Sequence, residues 1–170
     1  MNLPSSSEPG KAGNELTHLD SDGHVHMVDV GHKQVTLRTA EAQARVLMAP
    51  ATARRLMDGQ LPKGDALALT RIAGIQAAKR TSELIPLCHL IALTAVTLDI
   101  AIDVDVGQIT LTAQVQAHNR TGVEMEALTA VSVAALTLYD LTKAVQRDVV
   151  ITDVRVTRKS GGQSGDFNAP

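Results

Sequence analysis

Several polar residues in this chain have types and spacings that could carry chemistry. Thr121-Gly122-Val123-Glu124 opens a long helical pattern. By spacing it fits a capping box, with Thr121 as N-cap and Glu124 reaching back from the third position. Glu126 lies two positions on, about 200° around a helix, so the two carboxylates are expected to point to different sides. Farther along, Glu126, Thr129, Ser132, Asp140, Lys143 and Arg147 fall on one stripe. This is either a solvated face or the polar wall of a cleft, in which Asp140 stays ionised and Lys143 protonated. Pattern alone favours the solvated face. Lys63-Gly64-Asp65 sets a cation ahead of a helix start, where free backbone N–H groups can hold an anion. Lys159 precedes Ser160-Gly161-Gly162, a glycine-rich segment without P-loop spacing. For both lysines the plainer alternative is a surface side chain. In Pro86-Leu87-Cys88-His89, the cysteine reads as a small buried residue and the histidine as a structural one. Adjacency does not make them a nucleophile–base pair.

The elements that must position these groups follow an ordered pattern. Lys33 to Met48 reads as a strand with an irregular middle, and Pro50 to Asp58 as a short helix with proline in its first turn. A second helix runs from about Asp65, its N-cap, to Leu84, where Pro86 disfavours continuation. Between Ala66 and Ala78 only Thr70, Arg71 and Gln76 are polar, so burial on most sides is expected. Val96, Leu98, Ile100, Ile102 and Val104 alternate with Asp99, Asp103 and Asp105, the pattern of a half-buried strand. Gly107-Gln108 turns the chain, and Ile109 to Ala117 returns as a hairpin partner. A long helix from about Gly122 to Gln146 and a strand from Val149 to Val156 complete the order β-α-α-β-β-α-β. That order contains the βαββαβ pattern of an α+β, ferredoxin-like antiparallel sheet with helices on one face. Residues 1–15, rich in Ser, Pro and Gly, read as a disordered tail. Residues 16–160 form a single domain, and 161–170 read as a flexible C-terminal tail.

Composition narrows the function classes. The 170 residues carry a net charge of −2, which disfavours a non-specific nucleic-acid binder. One Phe, one Tyr and no Trp leave almost nothing for base-stacking platforms. The core must be aliphatic, and its small side chains bury little area each, so an oligomer is expected. A single cysteine, Cys88, cannot support an intrachain disulfide framework. No apolar run reaches the ~18 residues of a membrane span, and no basic-then-apolar leader is present, so the expected compartment is the cytoplasm. His24, His26 and His32 lack a second cluster with ligand spacing, so no metal site is expected.

Taken together, several segments resemble the cyclic pyranopterin monophosphate synthase family, also called molybdenum cofactor biosynthesis protein C. They are His26-Met27-Val28-Asp29-Val30, Lys63-Gly64-Asp65, Ala73 to Thr81, Ile85 to His89, Thr121 to Ala130, Tyr139-Asp140, Lys143 to Gln146 and Lys159-Ser160-Gly161-Gly162. The resemblance spans about residues 16 to 167. It implies a ferredoxin-like subunit in a homohexamer, a trimer of dimers with active sites at subunit interfaces. It further implies a lyase acting on a guanosine-triphosphate-derived substrate, (8S)-3',8-cyclo-7,8-dihydroguanosine 5'-triphosphate. The products are cyclic pyranopterin monophosphate, a pterin intermediate of the molybdenum cofactor, and pyrophosphate. By position, Asp140 matches the key catalytic residue, with Lys143 as its partner, and Lys63 matches a catalytic lysine. Leu87, Cys88 and His89 match one substrate-binding strip, and Met125 with Glu126 another. Glu124, Arg38 and Lys159 match further site positions. Leu90 stands where the family usually has proline, Gln163 where lysine is frequent, and His118-Asn119-Arg120 where a Gly-Lys type sequence is common.

The implied reaction gives these residues a purpose. Cations at Lys63, Lys143, Lys159 and Arg38 suit a triphosphate and a departing pyrophosphate. Closing the cyclic phosphate needs a ribose hydroxyl to attack the α-phosphorus in line. Rebuilding the purine as a pterin needs several proton transfers, for which Asp140 and Lys143 suit an acid–base pair. No cofactor is implied beyond Mg²⁺ accompanying the triphosphate. The rival readings are a non-catalytic nucleotide-binding ferredoxin-like module, a scaffold protein that assembles through its long helix, and a different lyase or cyclohydrolase acting on a related guanine nucleotide.

Overall fold

The computed structural model describes residues 23–163 and 165–170. The tail expected at residues 1–15 lies outside them. Five strands, β1 (Thr36–Leu47), β2 (Ala95–Asp103), β3 (Gln108–Asn119), β4 (Val150–Ser160) and β5 (Phe167–Asn168), form one sheet in the order β2-β3-β1-β4-β5. All its pairings are antiparallel. The first four strands have the order of a ferredoxin-like sheet, as the element pattern predicts. Beyond Gly161 the chain turns back, and Phe167 and Asn168 pair with Lys159 and Arg158.

Four helices accompany the sheet: α1 (Pro50–Met57), α2 (Ala66–Ala78), α3 (Thr81–Leu84) and α4 (Glu124–Thr142). Asp65 caps α2 as expected, its carboxylate accepting from the Ala68 amide at 2.9 Å. The single helix expected from 65 to 84 is interrupted at Lys79-Arg80. Arg80 leaves helical geometry there, and the buried Thr81 hydroxyl donates to the Ala78 carbonyl at 3.0 Å.

Ala40, Ala42, Ala44 and Val46 of β1 and Ile109, Leu111, Ala113, Val115 and Ala117 of β3 form the inner face of the sheet. Ala127, Ala130, Val131, Ala134 and Leu138 of α4 belong to the same core cluster. The core is aliphatic, as the composition requires, and its alanines let helix and sheet approach closely. Gly74 of α2 continues this rule, since a Cβ there would lie 3.0 Å from the Ala130 carbonyl oxygen of α4. On its other side α2 departs from the expectation of burial on most sides. Leu69 and Ile72 are exposed in the single chain.

Candidate active site

The inner face of the sheet fixes α4 at both ends, and the candidate site residues divide between those ends. At the N-terminal end lies an open cavity of about 980 Å³. Arg38 of β1, Lys159 of β4 and the strip Leu87, Cys88 and His89 line it. So do Glu124, Met125 and Glu126 from the first turn of α4. Eight of the eleven expected residues therefore meet in one place.

The capping box does not form. Val123 occupies the N-cap position and no side chain caps the helix. The Glu124 carboxylate instead turns across the cavity to Lys159, with Oε1 and Nζ 3.2 Å apart. A charged partner from a neighbouring strand outcompetes the local backbone donor. Glu124 and Glu126, expected to point to different sides of the helix, both line this cavity. At a helix end, one cavity can wrap more than one face.

Glu126 is 3% exposed, and its Oε2 has no hydrogen-bond partner. Burial, with a smaller contribution from the Glu124 charge, pushes its carboxyl up from 4.5 to about 7. The Cys88 thiol is also raised, first by burial and then by Glu126, which disfavours the thiolate a nucleophile would need. His89 donates from Nε2 to the Val28 carbonyl at 2.8 Å, so its ring is oriented by backbone.

Arg38 braces the rim. Its Nε donates to the Asn119 carbonyl at 3.2 Å, one terminal nitrogen to Gly161 at 3.2 Å, and the other to Arg120 at 3.1 Å. The glycine-rich segment fits around this guanidinium. Gly162 has φ +84°, and a Cβ there would run into the Arg38 side chain.

The remaining three residues form a separate cluster at the other end of α4. Lys143 Nζ sits 2.5 Å from Asp140 Oδ1, and Lys63 Nζ sits 2.6 Å from Asp140 Oδ2. Lys63 also donates to the Asp140 carbonyl at 3.1 Å. Its ammonium is thus committed to Asp140, and the α2 N-terminus is capped by Asp65. Hydrogen bonds from Lys143 and then Lys63 hold the Asp140 carboxyl down at about 2, and Asp140 raises Lys143 in return. This end of the polar stripe is solvated. The other end is not, since Glu126 and Thr129 are buried. Glu126 and Asp140 are about 21 Å apart along the axis at 1.5 Å per residue, so one chain does not bring the two groups together.

The sequence reading missed part of the wall. Val28, Val30, His32, Lys33 and Gln34 line the cavity from the N-terminal side, and Arg120 lines it from the β3–α4 connection. The segment has no periodic pattern. Its only signal was the His26-Met27-Val28-Asp29-Val30 match, to which no role attached. Among the described residues, no group of three or more His, Cys, Asp or Glu is placed to hold a metal ion. Among the described residues, no helix is long and apolar enough to cross a membrane.

The buried, proton-retaining Glu126 gives a direct stability test. Its carboxyl titrates higher in the folded chain than in the unfolded one. The folded state therefore binds the extra proton between about pH 4.5 and 7, and the chain loses stability as pH rises through that window. Glu126→Gln removes the ionisation while keeping the shape. Thermal melts are expected to show it more stable than wild type by about 1–2 kcal/mol at pH 8, with the gain gone at pH 4. Parallel melting curves across this range would contradict the assignment.

A ferredoxin-like α+β chain with a cleft walled by Arg38, Lys159 and two glutamates defines a class: ferredoxin-like proteins with a charged small-molecule cleft at the N-terminal end of the sheet-packed helix α4. Within that class, the chain belongs to the MoaC family, whose model matches residues 27–162. It is 54% identical over 160 residues to a protein of Chloroflexus aurantiacus (strain ATCC 29366 / DSM 635 / J-10-fl) named cyclic pyranopterin monophosphate synthase. The match covers 94% of this chain and 98% of that one. Proteins of the same name from Parvibaculum lavamentivorans and Roseiflexus sp. (strain RS-1) are 54% identical over 158 residues and 56% over 153. These cover 93% and 90% of this chain, and 99% and 97% of the relatives.

Proposed function

We infer that this chain is a cyclic pyranopterin monophosphate synthase, a lyase of molybdenum cofactor biosynthesis. It converts (8S)-3',8-cyclo-7,8-dihydroguanosine 5'-triphosphate to cyclic pyranopterin monophosphate and pyrophosphate. Membership of the family and near full-length identity to enzymes of that name support this reading.

The observation that carries the mechanism is the opposed protonation of two carboxyls. Glu126 holds a proton near neutral pH, and Asp140 stays ionised. Environments that push two carboxyls apart suit one to donate a proton and the other to accept one. In the proposed scheme the cavity takes the substrate, with Glu124 or Glu126 meeting the N–H donors of its guanine-derived edge. Lys159 and Arg38 stand beside the phosphates. Asp140 with Lys143 moves protons during ring opening and reclosure, and the ammonium groups of Lys143 and Lys63 steady the departing pyrophosphate. The ribose hydroxyl attacks the α-phosphorus, the bond to the β-phosphate oxygen breaks, and the hydroxyl proton passes to the base.

For this scheme Asp140 of one subunit must face the cavity of another, because about 21 Å of helix separates the two groups within a chain. A homohexamer arranged as a trimer of dimers meets that need. The exposed Leu69 and Ile72 on a nearly all-apolar α2 favour such covering. Mg²⁺ arriving with the triphosphate is compatible with the scheme.

The test is direct. Purified protein is incubated with the cyclic dihydroguanosine triphosphate, and pterin product and pyrophosphate are measured. One equivalent of each is expected. Tight binding without either product would favour the nucleotide-binding module instead.

A further inference from the structure

Residues 26–35, which form the N-terminal wall of the cavity, take no part in a helix or in any strand pairing of the sheet. The only backbone order within them is a tight turn. The Gly31 amide donates to Asp29 Oδ1 at 2.7 Å, and the Lys33 amide to the Val30 carbonyl at 3.0 Å. Between a single bridge at Val25 and the start of β1 at Thr36, the strap is held by its own half-buried Val28 and Val30 and by side chains that reach it from the domain. Among the described residues two do so by hydrogen bonds to its carbonyls. His89 holds Val28 at one end, and Arg120 Nε donates to the Lys33 carbonyl at 3.0 Å at the other. Val35 and Met27, at the two edges of the strap, are exposed and add little packing.

Arg120 is itself held. Its carbonyl accepts from Arg38, its amide donates to Asn119 Oδ1 at 2.7 Å, and the Asn119 carbonyl accepts from Arg38 Nε. The order of support runs from the sheet through Arg38 to Arg120 and from Arg120 to the strap. His89 belongs to the substrate-binding strip, whereas Arg120 has no assigned role.

We propose that Arg120 is a positioning residue for the reaction: its latch on the Lys33 carbonyl holds residues 28–34 down as the N-terminal wall of the cavity. The consequence for catalysis rests on the enzyme reading above, but the latch itself does not. Loosening the wall weakens substrate binding and leaves the chemistry at Asp140 untouched. The effect therefore falls on KM and not on kcat.

The full-length assembled protein tests this in two ways. The first is amide hydrogen exchange over residues 28–34 together with the rate of tryptic cleavage at the Lys33–Gln34 bond, whose carbonyl is the one held. Arg120→Ala is expected to speed both by about tenfold, the size of one lost hydrogen bond, with α4 and β3 unchanged. The second is conversion of the cyclic triphosphate, where KM rises by about tenfold and kcat stays within about twofold. Arg120→Lys keeps the charge and lacks the Nε donor, and its strap stays loose. Unchanged exchange and cleavage in Arg120→Ala would overturn the latch, as would a uniform rise over the whole domain. Full recovery of KM by Arg120→Lys with a loose strap would also overturn it, showing that charge alone matters. If wild type forms no product, the enzyme reading fails, and the exchange and cleavage rates still decide the latch.

Discussion

Asp140→Asn is expected to lower the rate of cyclic pyranopterin monophosphate formation by about 10²–10⁴-fold while the protein keeps its fold and assembly. The carboxylate holds two ammonium groups at once, Lys143 at 2.5 Å and Lys63 at 2.6 Å. An amide of the same shape cannot accept a proton and no longer offsets the two charges. The side chains concerned are about half exposed, so the loss is not one of folding. Circular dichroism, melting and size-exclusion profiles should match wild type. The pH dependence adds a second check. Because Lys143 and Lys63 hold Asp140 near 2, it stays ionised across the working range and contributes no acid limb above about pH 3. A limb near pH 7 is expected from Glu126 and should vanish in Glu126→Gln. An Asp140→Asn enzyme that retains more than about a tenth of wild-type activity would return this cluster to a solvated ion pair of little consequence.

The sequence made much of this arrangement legible because local physics specified it. Alternation at Val96, Leu98, Ile100 and Ile102 marked β2, and Gly107 marked its turn. Asp65 capped α2 as its position required. Three features were not legible, each for a physical reason. Thr121 and Glu124 have capping-box spacing, but the partner that captured Glu124 is Lys159, remote in sequence and adjacent only in the folded sheet. The polar stripe of α4 read as one solvated face. Its N-terminal part faces the cavity that the strap and the Leu87–His89 strip also line, and there Glu126 is buried and its carboxyl pushed up to about 7. The strap has no periodicity, because a segment held by other residues' side chains needs none of its own. The resemblance named the site residues as a single set. Only the geometry of α4 shows that a single chain presents them as two groups.

That division leads to the prediction with the largest expected change. Asp140→Asn damages the Lys63–Asp140–Lys143 cluster and leaves the cavity intact. Lys159→Ala damages the cavity and leaves the cluster intact. Each variant alone should fall below about 1% of wild-type activity. Suppose each site joins the cavity of one subunit to the cluster of another. Co-expression of the two variants in equal amounts, with separate tags to isolate mixed oligomers, then creates sites with both halves undamaged. Random mixing makes these about one quarter of all sites, so per-site activity should recover to about a quarter of wild type. The carboxylate lost from one chain is supplied by its neighbour, as is the ammonium. If both halves of every site came from the same chain, no mixture would contain an undamaged site, and activity would stay at the level of the separate variants. Recovery near a quarter would establish that catalysis belongs to the assembly, because α4, with the cavity at one end and the Asp140 cluster at the other, keeps them too far apart within one chain to serve one substrate.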